Sequence, residues 1–588
     1  MPLSNINYGI IMSSILLMVG SFVGYLIAYN LYGKFLSKKI FKIDNKAITP
    51  SESLNDGKDF VPTKKGVLFG HHFTSIAGLG PIVGPAIAII WGWVPAVLWI
   101  FFGSIFLGAV HDFGVLILSM RHKGTSIGDI SATLISPRIR IMFLIIMFIT
   151  NLMVIAVFTL IIAILFGMYP SAVIPVWSEV PIAILLGYMM YKKGANHLFW
   201  GIIAVILMFV FVVIGVYNPI SLPEIAGINP LVIWAIVLLI YAYFASILPV
   251  TTLLQPRDYI NSHQLFIILF LLVLGVFVSN PVFVAPAINP APEGAPSILP
   301  FIFIVIACGA ISGFHSLVSG GTTSKQCANE SDTLPIAYGG MLTEGFLAIL
   351  VIIAVGAGIG LGFEETSGNV LTGTTAFATH YGSWASANGL APKLKAFVFG
   401  SANLMAGYGL PMNLSLTLMG VFLVSFASTT LDSATRVQRY IVSEFAHNVN
   451  MPSLAKPHPA TIIAIGITAL LCFNGGFTET ALKKGALALW PLFGVTNQLL
   501  AALALLTVTV YLAKKKIMLS ITIIPGIFMA IITIWGSIDN IQQFLGTGNI
   551  LLLSISIISL LLEIWIIMEI IRILRKTDLL PDKVSGSK

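Results

Sequence analysis

Charged side chains are scarce in this chain of 588 residues, at 9% Asp, Glu, Lys and Arg against roughly a quarter in soluble domains. That shortage excludes an ordinary water-soluble enzyme or binding domain. Cysteine is scarce too. Cys308, Cys327 and Cys472 lie far apart without CxxC spacing, which excludes a disulfide framework or a cysteine zinc cluster and leaves them as small apolar packing residues. Missing as well are HExxH and GxxxxGK[ST], the signatures of a zinc peptidase and a nucleotide-driven pump. A sizeable polar stretch that could form a sensor's output domain is also lacking.

What is present is apolar sequence, 57% of the residues, with a mean hydropathy of +0.97. Stretches of about 20 residues, enough to cross a hydrocarbon core, recur almost end to end. They predict an all-α polytopic membrane protein with about 15 spans, near 8–33, 67–92, 93–120, 138–167, 171–191, 196–217, 229–254, 264–283, 298–320, 335–361, 412–435, 459–474, 486–511, 517–536 and 549–574. The first stretch runs into Lys-rich sequence with no small-residue cleavage site, so it reads as a retained helix. With residue 1 outside and the C-terminus cytoplasmic, 27 of the 31 Lys and Arg residues fall in cytoplasmic loops, as the positive-inside rule asks. The net charge of +8 is thereby a topology signal, and no nucleic-acid partner is expected. The outer segment 363–392, rich in Gly, Thr and Ala, is expected to form a hairpin or short helix.

Two spans carry helix-breaking runs. The first reads His71-His72-Phe-Thr-Ser-Ile-Ala-Gly78-Leu-Gly80-Pro81-Ile-Val-Gly84-Pro85. Proline removes a donor and glycine weakens a helix, so two half-helices meeting at an unwound joint are expected, with dipole ends and free carbonyls available to a ligand. A plain proline kink is the alternative. The second run is Ser246-Ile-Leu-Pro249-Val-Thr251-Thr252-Leu-Leu-Gln255-Pro256-Arg257-Asp258. Five spans separate the two starts, which predicts a five-plus-five inverted repeat. The chain then divides into 1–66 (N-terminal helix and basic loop), 67–226 and 227–446 (the repeats) and 447–588 (additional helices). Substrate would bind between Gly78, Gly80, Pro81, Gly84 and Pro85 on one side and Ser246, Thr251 and Thr252 on the other.

Ionisable groups at mid-span are expensive and need a partner or a water path. His111 and Asp112 lie nine or ten residues before Arg121, and His315 ten before Lys325, about 15 Å from the membrane face. Glu344 sits at similar depth. Histidine titrates near neutrality, so these four are candidates for a proton relay, with interhelical hydrogen bonding the bland alternative. Thr322 and Thr323, hydroxyl-bearing, are candidates for a sodium site or for plain packing. At the inner ends His71, His72, Arg257, Asp258, Lys325, Asp432 and Arg436 are candidate gate residues, or else interfacial and solvated side chains. No resident metal or cofactor is expected beyond the coupling H+ or Na+.

The run Gly70 to Pro85, Gly108-Ala-Val-His-Asp-Phe113, and Arg257-Asp258-Tyr259 after Gln255-Pro256 resemble the carbon starvation protein A (CstA) family of bacterial and archaeal membrane proteins. The likeness covers about residues 60–510. It implies a LeuT-like inverted repeat with two discontinuous helices, and a place in the amino acid, polyamine and organocation transporter superfamily. It also implies ion-coupled import of peptides or pyruvate across the cytoplasmic membrane when carbon is scarce. Family members differ in helix count near the C-terminus, where extra helices would suit a scaffold or a homo-oligomer contact. A membrane-embedded sensor or a channel is the alternative reading.

Overall fold

The computed structural model describes residues 13–364, 368–487 and 489–576; both predicted terminal orientations rest partly on residues outside these. Among the described residues 13 helical spans are long and apolar enough to cross a membrane. They are α1 (Ser14–Ile40), the broken pair α2 (Lys65–Ala77) and α3 (Gly80–Ala88), α4 (Trp93–Arg121), α5 (Pro137–Met168), α6 (Pro170–Lys192), α7 (His197–Tyr217), α8 (Pro230–Ile247) and α9 (Leu254–Ser279). After a second broken pair, α10 (Ile298–Val305) and α11 (Phe314–Gly321), come α12 (Glu330–Leu361), α13 (Leu390–Ala406), α14 (Met412–Asn448), α15 (Pro457–Cys472), α16 (Leu489–Lys514), α17 (Ser520–Thr547) and α18 (Ile550–Arg575). The two predicted spans outside the 13 are the broken pair α10/α11 and α15, which has 16 residues. The predicted hairpin appears as two paired strands, Phe363–Glu364 and Val370–Leu371, followed by short helices. Helix α13 lies in sequence not assigned to any span.

Burial sorts the helices. On α1 and α18 large apolar side chains such as Leu16 and Leu561 are exposed, as lipid-facing residues must be, whereas α14 and α16 are surrounded. Helices α5 and α14 pack along each other, as do α4 and α12, around the two broken pairs.

The first break forms where the sequence places it. Gly78 adopts φ +43°, a left-handed conformation that costs an L-residue roughly 1–2 kcal/mol, and Pro81 opens α3 in the first turn, where its missing donor is harmless. Backbone freed by the break must find partners. Thr429 Oγ1 donates to the Thr74 carbonyl at 3.2 Å and Thr430 Oγ1 to that of Ser75 at 3.4 Å.

The second break is elsewhere than expected. Residues 248–253 are a turn between two complete spans, α8 and α9, with Pro256 in the first turn of α9, where proline is tolerated. The discontinuous helix that faces the first is α10/α11, joined through residues 306–313 with Gly309 at φ +90°. Three side chains satisfy its unwound backbone. Glu344 Oε1 accepts from Gly309 N at 2.9 Å, Asn497 Oδ1 accepts from Phe314 N at 2.8 Å, and Trp99 Nε1 donates to Ile306 O at 3.0 Å. The two broken pairs touch through glycine: a side chain on Gly80 would strike Cys308, and one on Gly84 the Val305 carbonyl.

Candidate functional site

Between the broken pairs lies a cavity of about 490 Å³, within the usual range for small-molecule sites. Its closed end is formed by Ala77, Gly78, Phe158, Phe314 and Thr430, and exposed Asn388 and Gln543 lie at its rim. Gly78, Gly80 and Gly84 line it, as the sequence predicts. Pro81 and Pro85 are buried within α3. Ser246, Thr251 and Thr252 are not part of it: Ser246 Oγ pairs with Thr461 Oγ1 at 3.3 Å, and the carbonyls of Thr251 and Thr252 abut Gly187. That expected half of the site is corrected to Val305, Ala307 and Cys308 of the second break. The reason is that prolines at Pro249 and Pro256 mark a turn between spans, not an interruption within one.

Two side chains of the cavity were not foreseen. Cys308 is only half-buried and forms part of the wall. Lys393, at the start of α13, is 4% exposed. Its ammonium stands 5.9 Å from the Trp490 ring centre, and among the described residues no carboxylate lies within ion-pair distance. A buried ammonium without a counter-ion on a cavity wall is an attractive place for a carboxylate.

The four predicted mid-span groups converge beside this cavity, all fully buried. Asp112 receives both histidines, Oδ1 from His111 Nδ1 at 2.8 Å and Oδ2 from His315 Nδ1 at 2.9 Å. The other face of His315 puts Nε2 3.4 Å from Glu344 Oε2, whose second oxygen holds Gly309. One carboxylate thus links the histidine cluster to the unwound backbone of the second break. The hydroxyls expected near sodium are already engaged. Thr323 Oγ1 meets His72 Nδ1 at 2.9 Å, and Thr322 Oγ1 donates to Val318 O at 3.0 Å.

Apart from His72, the candidate gate residues gather in two places on the side of the basic loops, largely buried where a solvated face was the alternative. In one, Arg257 bridges Glu179 (3.1 Å) and Asp432 (2.8 Å) with Tyr241 on the same guanidinium, and His71 Nδ1 meets Asp258 Oδ2 at 2.5 Å. Glu179 was legible by the rule that found Asp112, as an acid in mid-span. In the other, Asp59 from the basic loop binds Arg436 at 2.8 Å and Arg439 at 3.1 Å, while Arg436 also donates to the Ala245 and Leu248 carbonyls. Lys325 lies 3.5 Å from the Tyr440 ring centre. Burial alone would raise the Asp59 carboxyl, but Arg439 and Arg436 outweigh it and hold it at about 2, below the ordinary 3.8. Because the folded value is depressed, this clamp is fully present above about pH 4 and is lost as pH falls through about 2.

The profile of the family described as "Carbon starvation protein CstA" matches residues 13–536. The chain belongs to the CstA family. The peptide transporter CstA of Campylobacter jejuni is 34% identical over 90% of this chain and 81% of its own length. The pyruvate/proton symporter BtsT of Escherichia coli is 32% identical over 89% of this chain and 81% of its own. A solved structure of MhsT in complex with L-phenylalanine aligns with 86% of this chain and 98% of its own at 12% identity, with a TM-score of 0.41. This member of the CstA family is accordingly a multi-pass membrane protein and a transporter.

Proposed function

We propose that the protein is a proton-coupled symporter that imports a small carboxylate-bearing nutrient, a peptide or pyruvate, by alternating access across the cytoplasmic membrane. The observation that carries this reading is the Asp112–His315–Glu344 chain beside the cavity, because its last member also holds the backbone of a broken helix. Protonating Glu344 weakens its hold on Gly309, so the charge state of the cluster and the shape of the cavity wall change together. Protons are favoured over sodium because the groups gathered beside the cavity, His111, Asp112, His315 and Glu344, are imidazoles and carboxylates that can exchange protons. The relative named as a pyruvate/proton symporter is in keeping with this. An outward-facing state is the reading supported by a cavity that reaches exposed residues on one side while the Arg257 and Asp59 networks close the other.

The packing of α2/α3 with α10/α11, α4 with α12 and α5 with α14 supports an inverted repeat whose second half begins near residue 298, with α8 and α9 between the halves. Each pair runs antiparallel when the basic loops lie in the cytoplasm. The relatives' names favour transport over catalysis.

Proteoliposomes given labelled pyruvate or a labelled dipeptide, with a proton or a sodium gradient imposed in turn, test the proposal. Accumulation of one substrate under the proton gradient is the expected result; accumulation under sodium alone would reassign the coupling ion, and none under either would favour a sensor.

Lys393 is proposed to receive the substrate's carboxylate. Loss of one hydrogen bond to a charged group is worth about 1.5–3 kcal/mol, so Lys393→Gln should raise KM roughly ten- to hundredfold with kcat little changed, and Lys393→Arg should recover most of it. An unaltered KM would take Lys393 out of the substrate's path. At the inner gate, Asp59→Asn is expected to speed alkylation of a cysteine placed at Thr430 by a reagent applied from the cytoplasmic side. Equal rates would reduce Asp59 to a surface charge.

A further inference from the structure

Beside the relay, the Cys308 sulfur, a ring nitrogen of His315 and a carboxylate oxygen of Glu344 lie within 4.8 Å of one another. Two features set this group apart from an incidental cluster. First, His315 Nε2 and Glu344 Oε2 are buried, face each other at 3.4 Å, and have no hydrogen-bond partner among the described residues. Second, the opposite ring nitrogen, Nδ1, is held by Asp112 at 2.9 Å, and Asp112 is held in turn by His111. A histidine that ligates a metal almost always gives its other ring N–H to a carboxylate, which fixes the tautomer and turns the free nitrogen toward the ion.

From this geometry we infer that Cys308, His315 and Glu344 form a binding site for a divalent transition metal, of which Zn2+ is the best match, reached from the cavity. The donor set selects the ion. Thiolate and imidazole with one carboxylate suit zinc and its neighbours and suit neither magnesium nor calcium, which take oxygen ligands. Zinc–ligand bonds of about 2.0–2.3 Å require the three donors to draw together by roughly an ångström, which rotation of the Cys308 side chain can supply. Cys308 lies on the cavity wall, so the ion arrives from the open side and its fourth position faces the cavity, where water or a substrate carboxylate completes the tetrahedron.

The functional consequence follows from what the ligands otherwise do. Cys308 belongs to the unwound segment and Glu344 to α12, so a bound ion ties the two together. It also takes from His315 and Glu344 the atoms that the relay would use. External zinc therefore arrests transport in the outward-facing state. Metal binding does not depend on the proton-symport reading; the inhibition does.

Cobalt(II) serves as the spectroscopic probe on the full chain, purified in detergent under reducing conditions. A thiolate-to-cobalt charge-transfer band is expected, displaced by one equivalent of Zn2+. Cys308→Ser should abolish the band, and Glu344→Gln should weaken Zn2+ at least tenfold in a competition titration. Cys327→Ser and Cys472→Ser, at the two fully buried thiols, should leave the band in place, which separates loss of a ligand from loss of folding. In proteoliposomes Zn2+ on the cavity side should inhibit proton-driven uptake by the wild type, and a larger fraction of it than in Cys308→Ser, each compared with its own uninhibited rate. Absence of the band in the wild type, or its persistence in Cys308→Ser, overturns the site. A zinc-displaceable band in a protein that transports nothing would leave the site standing and remove the symport reading.

Discussion

Asp112→Asn is expected to abolish accumulation of substrate against its gradient, by at least a hundredfold, while the protein still inserts and folds. The carboxylate accepts a hydrogen bond on each oxygen, from His111 and from His315. An asparagine of the same shape keeps one acceptor and presents an NH2 to the other histidine, which then has no acceptor and no neutralising charge. Breaking a buried charged pair by removing one partner costs about 3–5 kcal/mol, and here the cost falls on the histidine that faces Glu344. Counterflow, which exchanges labelled for unlabelled substrate without net proton movement, should survive better than concentrative uptake. Undiminished accumulation by the variant would remove Asp112 from coupling, and equal loss of both assays would make it a structural residue.

Gly84→Val should eliminate transport as completely, for a steric reason. The glycine face of α3 rests directly on the Val305 carbonyl of α10, and backbone there cannot rotate aside as a side chain can. A branched side chain forces the broken pairs apart, so the cavity wall and the segment that Glu344 holds both shift. Gly80→Ala meets the Cβ and Sγ of Cys308, of which Cβ cannot swing aside, so it should also impair transport and be partly relieved by Cys308→Gly. Uptake by reconstituted protein, normalised to the amount in the membrane, checks both. Wild-type kinetics for Gly84→Val would mean that the two helices do not need this contact.

Much of the site was legible because of how costly its members are in lipid. An acid or a histidine in mid-span is rare without a partner or a water path, and His111, Asp112, His315 and Glu344, chosen on that ground, meet in one cluster. Glu179 satisfies the same condition. The first break was legible from three glycines and two prolines in one span. The second was not, since residues 306–313 carry glycine without proline, whereas the more conspicuous Pro249 and Pro256 lie at a turn, where proline costs nothing. Asp59 and Lys393 had no signal of their own. One is an aspartate in a basic loop and the other a lysine in an outer segment, and each matters through what packs around it.

The sequence by itself determined that the chain crosses a membrane many times, roughly where it does so, and where its most broken helix lies. Those properties follow from run length, basic loops and missing backbone donors, each local along the chain. Only the tertiary structure decided which break faces which, that Glu344 holds Gly309, and that a lone lysine and a lone cysteine share a cavity wall. In lipid the apolar surfaces of helices are nearly interchangeable, so partners are chosen by close glycine contacts and by the need to satisfy freed backbone groups. Both are relations between distant residues, such as Gly84 with Val305, that no local pattern encodes.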